Sequence, residues 1–94
     1  MPLKELRAKI EKIDVQILRL IEQRTALAKD VLDAKRAIGM PINDVDQNKM
    51  VLDRAANSAT ERGLDGKSVK SIFEILVKMN IERQHEMSGE GNLP

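Results

Sequence analysis

Arg24 and Lys35 stand eleven residues apart on a stretch whose other inward positions are aliphatic. Eleven residues are about three helical turns, ~16 Å of rise with only ~20° of residual rotation, so on a helix the two cations point the same way. Side chains of that length could grip the two ends of one small anion. Asn80 and Gln84 lie four residues apart, one turn beyond Phe73, Leu76 and Val77 on one face, and Asn48 precedes Val51, Leu52 and Ala55 on another. An unpaired polar group in a core costs ~1–3 kcal/mol, and an unpaired charge costs more. Five such residues on three inward faces point to a polar cavity whose partner is supplied from outside. The chemistry open to it is binding and polarisation of an anion by charged and amide donors. The chain has no Cys and a single His, His85. Thiol nucleophiles, thiolate metal sites, disulfides and a His-based zinc site are therefore excluded.

Each residue also has a structural reading. Arg24 and Lys35 could snorkel or pair with carboxylates of their own chain. Asn80 and Gln84 could set the register of a helical interface. Asp44 and Gln47 read first as a helix cap, His85 as an exposed helix residue, and Met50, Met79 and Met87 as gap-filling residues in or near the core.

The elements that carry these residues follow from periodicity. Leu3, Leu6, Ile10, Ile13, Ile17, Leu20, Leu27, Val31, Ala34 and Ile38 advance in steps of three and four, with Arg24 filling the one remaining position. The pattern contains no Gly or internal Pro until Gly39-Met40-Pro41, so it predicts one helix over residues 3–38. A second helix is expected from Asp44, where Asp44-Val45-Asp46-Gln47 has the form of a capping box, to Gly63. Its inward face would carry Val51, Leu52, Ala55 and Ala59. A third runs from about Lys67 to Met87 with Val69, Ile72, Phe73, Leu76 and Val77 inward. The fold class is all-α, with residues 1–87 as one domain and 88–94 as a flexible polar tail. A 36-residue helix spans ~54 Å, whereas a compact chain of this size has a radius of gyration of ~12 Å. The first helix would project with its apolar stripe bare, and a second copy of the chain is the simplest cover. The expectation is an intertwined homodimer; a kinked helix or an open coiled coil is the alternative.

Composition narrows the function further. The 94 residues are 41% hydrophobic and 33% charged, with 16 Lys and Arg against 15 Asp and Glu, for a net charge of +1. That balance does not suit a protein that holds nucleic acid by excess cations, and Phe73 alone cannot build a base-stacking platform. No apolar run approaches the ~20 residues of a membrane span, and the charged N-terminus lacks a signal-peptide core. A cytoplasmic protein is expected, with no length left for a sensor domain.

The ordered set of polar residues resembles the all-helical chorismate mutases, the AroQ class, over residues 3–87. The opening L-R-x-x-I-x-x-[IL]-D matches Leu6-Arg7-Ala8-Lys9-Ile10-Glu11-Lys12-Ile13-Asp14. L-[IL]-x-x-R matches Leu20-Ile21-Glu22-Gln23-Arg24, A-x-x-[VI]-x-x-x-K matches Ala28 through Lys35, and P-[IV]-x-D matches Pro41-Ile42-Asn43-Asp44. Asn80 and Gln84 occupy the substrate-facing pair of the last helix. The resemblance implies a domain-swapped homodimer with two sites, each taking Arg24 and Lys35 from one protomer and Arg7 from the other. Helix geometry agrees: Arg7 and Lys35 lie ~42 Å apart on one straight helix, so they share a small ligand only across a dimer.

The implied reaction is the rearrangement of chorismate to prephenate on the route to phenylalanine and tyrosine. It needs no cofactor, no metal and no nucleophile. Arg7 and Arg24 would hold carboxylates, Lys35 and Gln84 would donate to the ether oxygen, with Lys35 also near a carboxylate, Asn80 would donate to a carboxylate, and the Asp44 main chain would meet the ring hydroxyl. Where the family commonly has Arg-Glu at the start of the second helix, this chain has Gln47-Asn48. The exchange removes one charge of each sign. Asn48 can still accept the ring hydroxyl through its amide oxygen. The competing functions are an isochorismate pyruvate-lyase on the same scaffold and a non-catalytic helical dimerisation module.

Overall fold

A computed structural model describes residues 1–89 of the chain. Four helical segments follow one another: α1 (Leu3–Ala26), α2 (Ala28–Ala37), α3 (Val45–Glu61) and α4 (Gly66–Ser88). The all-α class expected from periodicity holds. Of the tail expected over 88–94, Ser88 belongs to α4, and residues 90–94 lie outside the described residues.

The long first helix expected over residues 3–38 is present as α1 followed by α2, with one irregular residue between them. Leu27, with φ −73° and ψ −9°, separates α1 from α2. No Gly or Pro explains the break. Its location does: the Asn80 side chain on α4 donates to the Arg24 carbonyl at 3.1 Å. An uninterrupted helix offers that carbonyl to the N–H of residue 28, and a side chain entering the backbone ladder is a recognised cause of such irregularity. The chain direction survives the break, because the Val31 N–H bonds the Leu27 carbonyl at 3.0 Å.

The other ends are set by local chemistry. Asp44 caps α3, its Oδ1 accepting the Gln47 N–H at 3.2 Å. Asp65 caps α4 through the Ser68 N–H at 3.3 Å and hydroxyl at 2.5 Å, which starts that helix one residue before the Lys67 expected. α2 and α3 both close with glycine in the left-handed region, Gly39 at φ 70° and Gly63 at φ 73°. In each, the next N–H reaches back to the last turn: Met40 to the Lys35 carbonyl at 2.9 Å and Leu64 to the Ala59 carbonyl at 2.8 Å. Only glycine takes that conformation without a Cβ penalty.

α4 is the hub. It packs along α3, lies against α2 and touches the end of α1, while α1 meets only α2 and α4. The core is Ala28 and Leu32 of α2 with Val51, Ala55 and Ala59 of α3. Its small residues let the helices approach closely. Gln84 and His85 are buried with them. His85 is thus not the exposed residue expected; α4 is flanked by two helices, which leaves it a narrower solvent-facing arc than a single-sided contact would. Two other expectations are corrected. Ile72 is 54% exposed and Met50 64% exposed, so neither fills a core in the single chain, and Met79 stands at the surface.

None of the α1 residues is buried. The molecule measures 54 × 25 × 20 Å with a radius of gyration of 16.4 Å, well above the ~12 Å of a compact chain of this length. The long dimension is that of the ~54 Å expected for 36 helical residues. No described helix is long and apolar enough to cross a membrane.

Leu32, 2% exposed on α2, is the largest aliphatic side chain of α2 in this core. Leu32→Ala is expected to cost about 2–4 kcal/mol, read as a lower denaturation midpoint at unchanged helical content.

Candidate active site

A cleft of about 480 Å³ opens where α2, α3, α4 and the end of α1 converge. Arg24, Lys35, Asp44, Gln47, Asn48, Asn80 and Gln84 all line it. These are all but one of the residues singled out from the sequence. The exception is Arg7, which sits on α1 outside the cleft. Seventeen residues separate it from Arg24, or ~26 Å along a helix.

α4 supplies the frame. Lys35 Nζ donates to Gln84 Oε1 at 3.0 Å, Gln84 Nε2 to Asn80 Oδ1 at 2.6 Å, and Asn80 Nδ2 to the Arg24 carbonyl at 3.1 Å. Arg24 Nη1 in turn donates to the Leu76 carbonyl at 3.1 Å, and Lys35 Nζ also donates to the Ile42 carbonyl. Both amides are oriented by this chain, and each keeps one N–H beyond the bond it makes. The ammonium likewise keeps its third proton.

α3 forms a second wall. The cap residue Asp44 and Gln47, Asn48, Val51 and Arg54 of α3 line the cleft along one stripe of the helix. The capping reading of Asp44 holds, and its carbonyl is engaged as well, accepting the Asn48 N–H at 3.0 Å. Asn48 donates Nδ2 to Asn43 Oδ1 at 2.9 Å, an orientation that leaves its own amide oxygen as an acceptor. Sequence reasoning missed Arg54. Its signal was present, seven residues after Gln47 on the same helical face, but an isolated Arg on a charged helix reads as solvated surface.

The cleft is electropositive. Arg24, Lys35 and Arg54 face one carboxylate, that of Asp44. The ion pairs of the described residues lie elsewhere, Lys29–Asp33 on α2 and Lys78–Glu82 and Arg83–Glu86 on α4. The intrachain ion-pair reading of Arg24 and Lys35 therefore fails. Burial lowers the Arg24 pKa, and the like charge of Arg54 lowers it further. Burial also lowers the Lys35 pKa, partly offset by Asp44.

A family model described as chorismate mutase type II matches residues 6–85. The chain belongs to that family. It is 42% identical over 78 residues to a chorismate mutase of Methanocaldococcus jannaschii, covering 83% of this chain and 79% of that protein. It is 28% identical over 86 residues to the bifunctional chorismate mutase/prephenate dehydratase of Escherichia coli K12, covering 92% of this chain but only 22% of that protein. A 4-amino-4-deoxychorismate mutase of Streptomyces venezuelae is 27% identical over 75 residues, 80% of this chain and 73% of that protein. The activity class is accordingly that of an isomerase, chorismate mutase.

The Lys35 shift gives a pH test. A lysine whose pKa is lowered in the folded state binds fewer protons there than unfolded, so its titration adds stability as pH rises between the two values. A function that needs the ammonium runs the other way. In the free protein, NMR titration of the Lys35 side chain should give a pKa below the ordinary lysine value. The kcat/KM profile should fall across that same lowered value at alkaline pH, without loss of folded protein.

Proposed function

We propose that the chain catalyses the rearrangement of chorismate to prephenate, with Lys35, Gln84 and Arg24 as its catalytic residues. The observation that carries this reading is the cleft itself: three cations and two oriented amides without neutralising carboxylates beyond Asp44. Such a site complements a dianion.

The reaction breaks the ether C–O bond as a C–C bond forms between the two ends of the same molecule. Electrons move in a closed cycle, so no proton, nucleophile or redox partner enters. The protein has two tasks. It holds the dianion compact, with its reacting ends together. It also favours the transition state, in which the ether oxygen gains negative charge, over the ground state. The third proton of Lys35 and the remaining Nε2 proton of Gln84 are the donors suited to that oxygen. Lys35 also neighbours a carboxylate, Arg24 holds one, and the remaining Asn80 proton serves another. The ring hydroxyl meets the Asp44 main chain and donates to the Asn48 amide oxygen. Gln47 adds a neutral donor. Donors already fixed by the protein reorganise little as charge develops, which is where their advantage over water lies.

Two protomers complete each site. α1 carries Leu3, Leu6, Ile10, Ile13, Ile17 and Leu20 at 42–63% exposure. Covering such half-exposed aliphatics is worth on the order of 1 kcal/mol each. A second copy pairing along α1 covers the stripe and brings its own Arg7 to the cleft. Residues 1–87 form the catalytic domain of each protomer in this intertwined homodimer.

The first assay is product analysis with chorismate and, separately, isochorismate. Prephenate from chorismate without pyruvate is expected; pyruvate from isochorismate as the dominant product would move the assignment to a lyase. Arg24→Ala and Lys35→Ala should each lower kcat/KM by about 100-fold or more, the scale of one charge-assisted donor in a dry site.

The shared site has its own test. Arg7→Ala and Lys35→Ala proteins should be nearly inactive alone, yet recover activity when unfolded together and refolded. A mixed dimer has one site with neither substitution and one with both. No recovery from dimers shown to have mixed would overturn the shared site.

A further inference from the structure

Arg54 is the cleft's cation without an assignment. Arg24 spends a guanidinium proton on the Leu76 carbonyl, and Lys35 spends two of its three on Ile42 and Gln84. Arg54 has no ion-pair or hydrogen-bond partner among the described residues, so its five donors remain open. Its placement is informative too. Asp44 and Arg54 stand ten residues apart on the α3 stripe, ~15 Å along the helix. Arg24 and Lys35 stand about three turns, ~16 Å, apart along the first helix, and among the charged residues that line the cleft with them Asp44 is in electrostatic reach of Lys35 and Arg54 of Arg24. One end of the cleft therefore holds an ammonium with a carboxylate. The other brings together two guanidinium groups and no acid.

Like charges held together on separate helices repel, and neither α1 nor α3 gains from the pairing in the free protein. An anion between them reverses the sign of that interaction. Planar forked donors suit a carboxylate in particular, since each can present two parallel N–H groups to its two oxygens.

We propose that Arg54 and Arg24 form a two-arginine clamp for one carboxylate of the substrate, making Arg54 a substrate-binding residue of this site. The inference rests on the dianion reading given above and names the group that holds one end of that dianion. Arg54 makes its bond through the ground state and the transition state alike, so its loss falls mainly on substrate binding. Gln47, two turns earlier on the same stripe, is where a cation could stand in for it.

The test is steady-state kinetics with chorismate on wild type, Arg54→Gln, Arg54→Lys and the surface control Lys49→Gln, with folding checked by circular dichroism. Arg54 is exposed at its helix surface and Gln is a good helix former, so the variant is expected to fold. Arg54→Gln should raise KM tenfold or more with kcat within about threefold, Arg54→Lys should fall between it and wild type, and Lys49→Gln should stay within twofold of wild type. Adding Gln47→Arg to Arg54→Gln should recover part of the lost affinity. A KM within twofold of wild type for Arg54→Gln would overturn the clamp. So would an equal rise in Lys49→Gln, which would mark a general field effect. Wild-type protein that leaves chorismate unconverted counts against the mutase reading instead. Thermal stabilisation by chorismate, compared between wild type and Arg54→Gln, then still reads the clamp: its loss in the variant supports it, and equal stabilisation overturns it.

Discussion

The hydrogen-bond chain from Lys35 through Gln84 and Asn80 to the Arg24 carbonyl holds this protein's site together. It crosses three helical segments, joining an ammonium, two side-chain amides and one main-chain carbonyl. Gln84 is 2% exposed, and a buried amide with both ends bonded cannot rotate without losing a hydrogen bond at each. Lys35 is thus fixed by a residue that is itself fixed, and the ammonium is aimed before any ligand arrives. The cost appears in the backbone, where the Arg24 carbonyl serves a side chain and the long helix breaks at Leu27.

Charge follows a similar logic. The acidic side chains that form ion pairs do so on exposed outer faces, within four residues of their partners. The cleft is left with three cations against Asp44. Burial penalises Arg24 and Lys35 in their charged forms, which is the physical meaning of their lowered pKa values. Such a site gains most from an anionic ligand, because binding relieves a penalty that folding leaves in place. The same arrangement would be a poor choice for a purely structural interface, where unpaired charge costs stability without return.

α1 carries the other open term. Its aliphatic stripe has the period of a packed helix but is left uncovered by the described residues, so the fold of one copy is extended where its composition suits a compact protein. Arg7 shares that helix, so in the proposed dimer the copy that covers the stripe would also bring its Arg7 toward the cleft.

Much of this was legible in the residues. Aliphatic steps of three and four located the helices, Asp44 and the glycines at 39 and 63 located their ends, and polar residues at apolar positions located five members of the cleft, with Asp44 and Gln47 added by the family resemblance. Those signals are local: a helix's period and its caps are set by neighbours a few residues away. What only the tertiary structure decided depends on which helices meet. Asn80 reaching the Arg24 carbonyl breaks a helix that no sequence feature interrupts. His85 is buried because α4 is flanked on two sides, and Arg54, though exposed, is a cleft residue because α3 packs on α4 with that stripe along the cleft wall. Each depends on contacts between residues far apart in the chain, and no periodicity within a single helix encodes which neighbour it will meet.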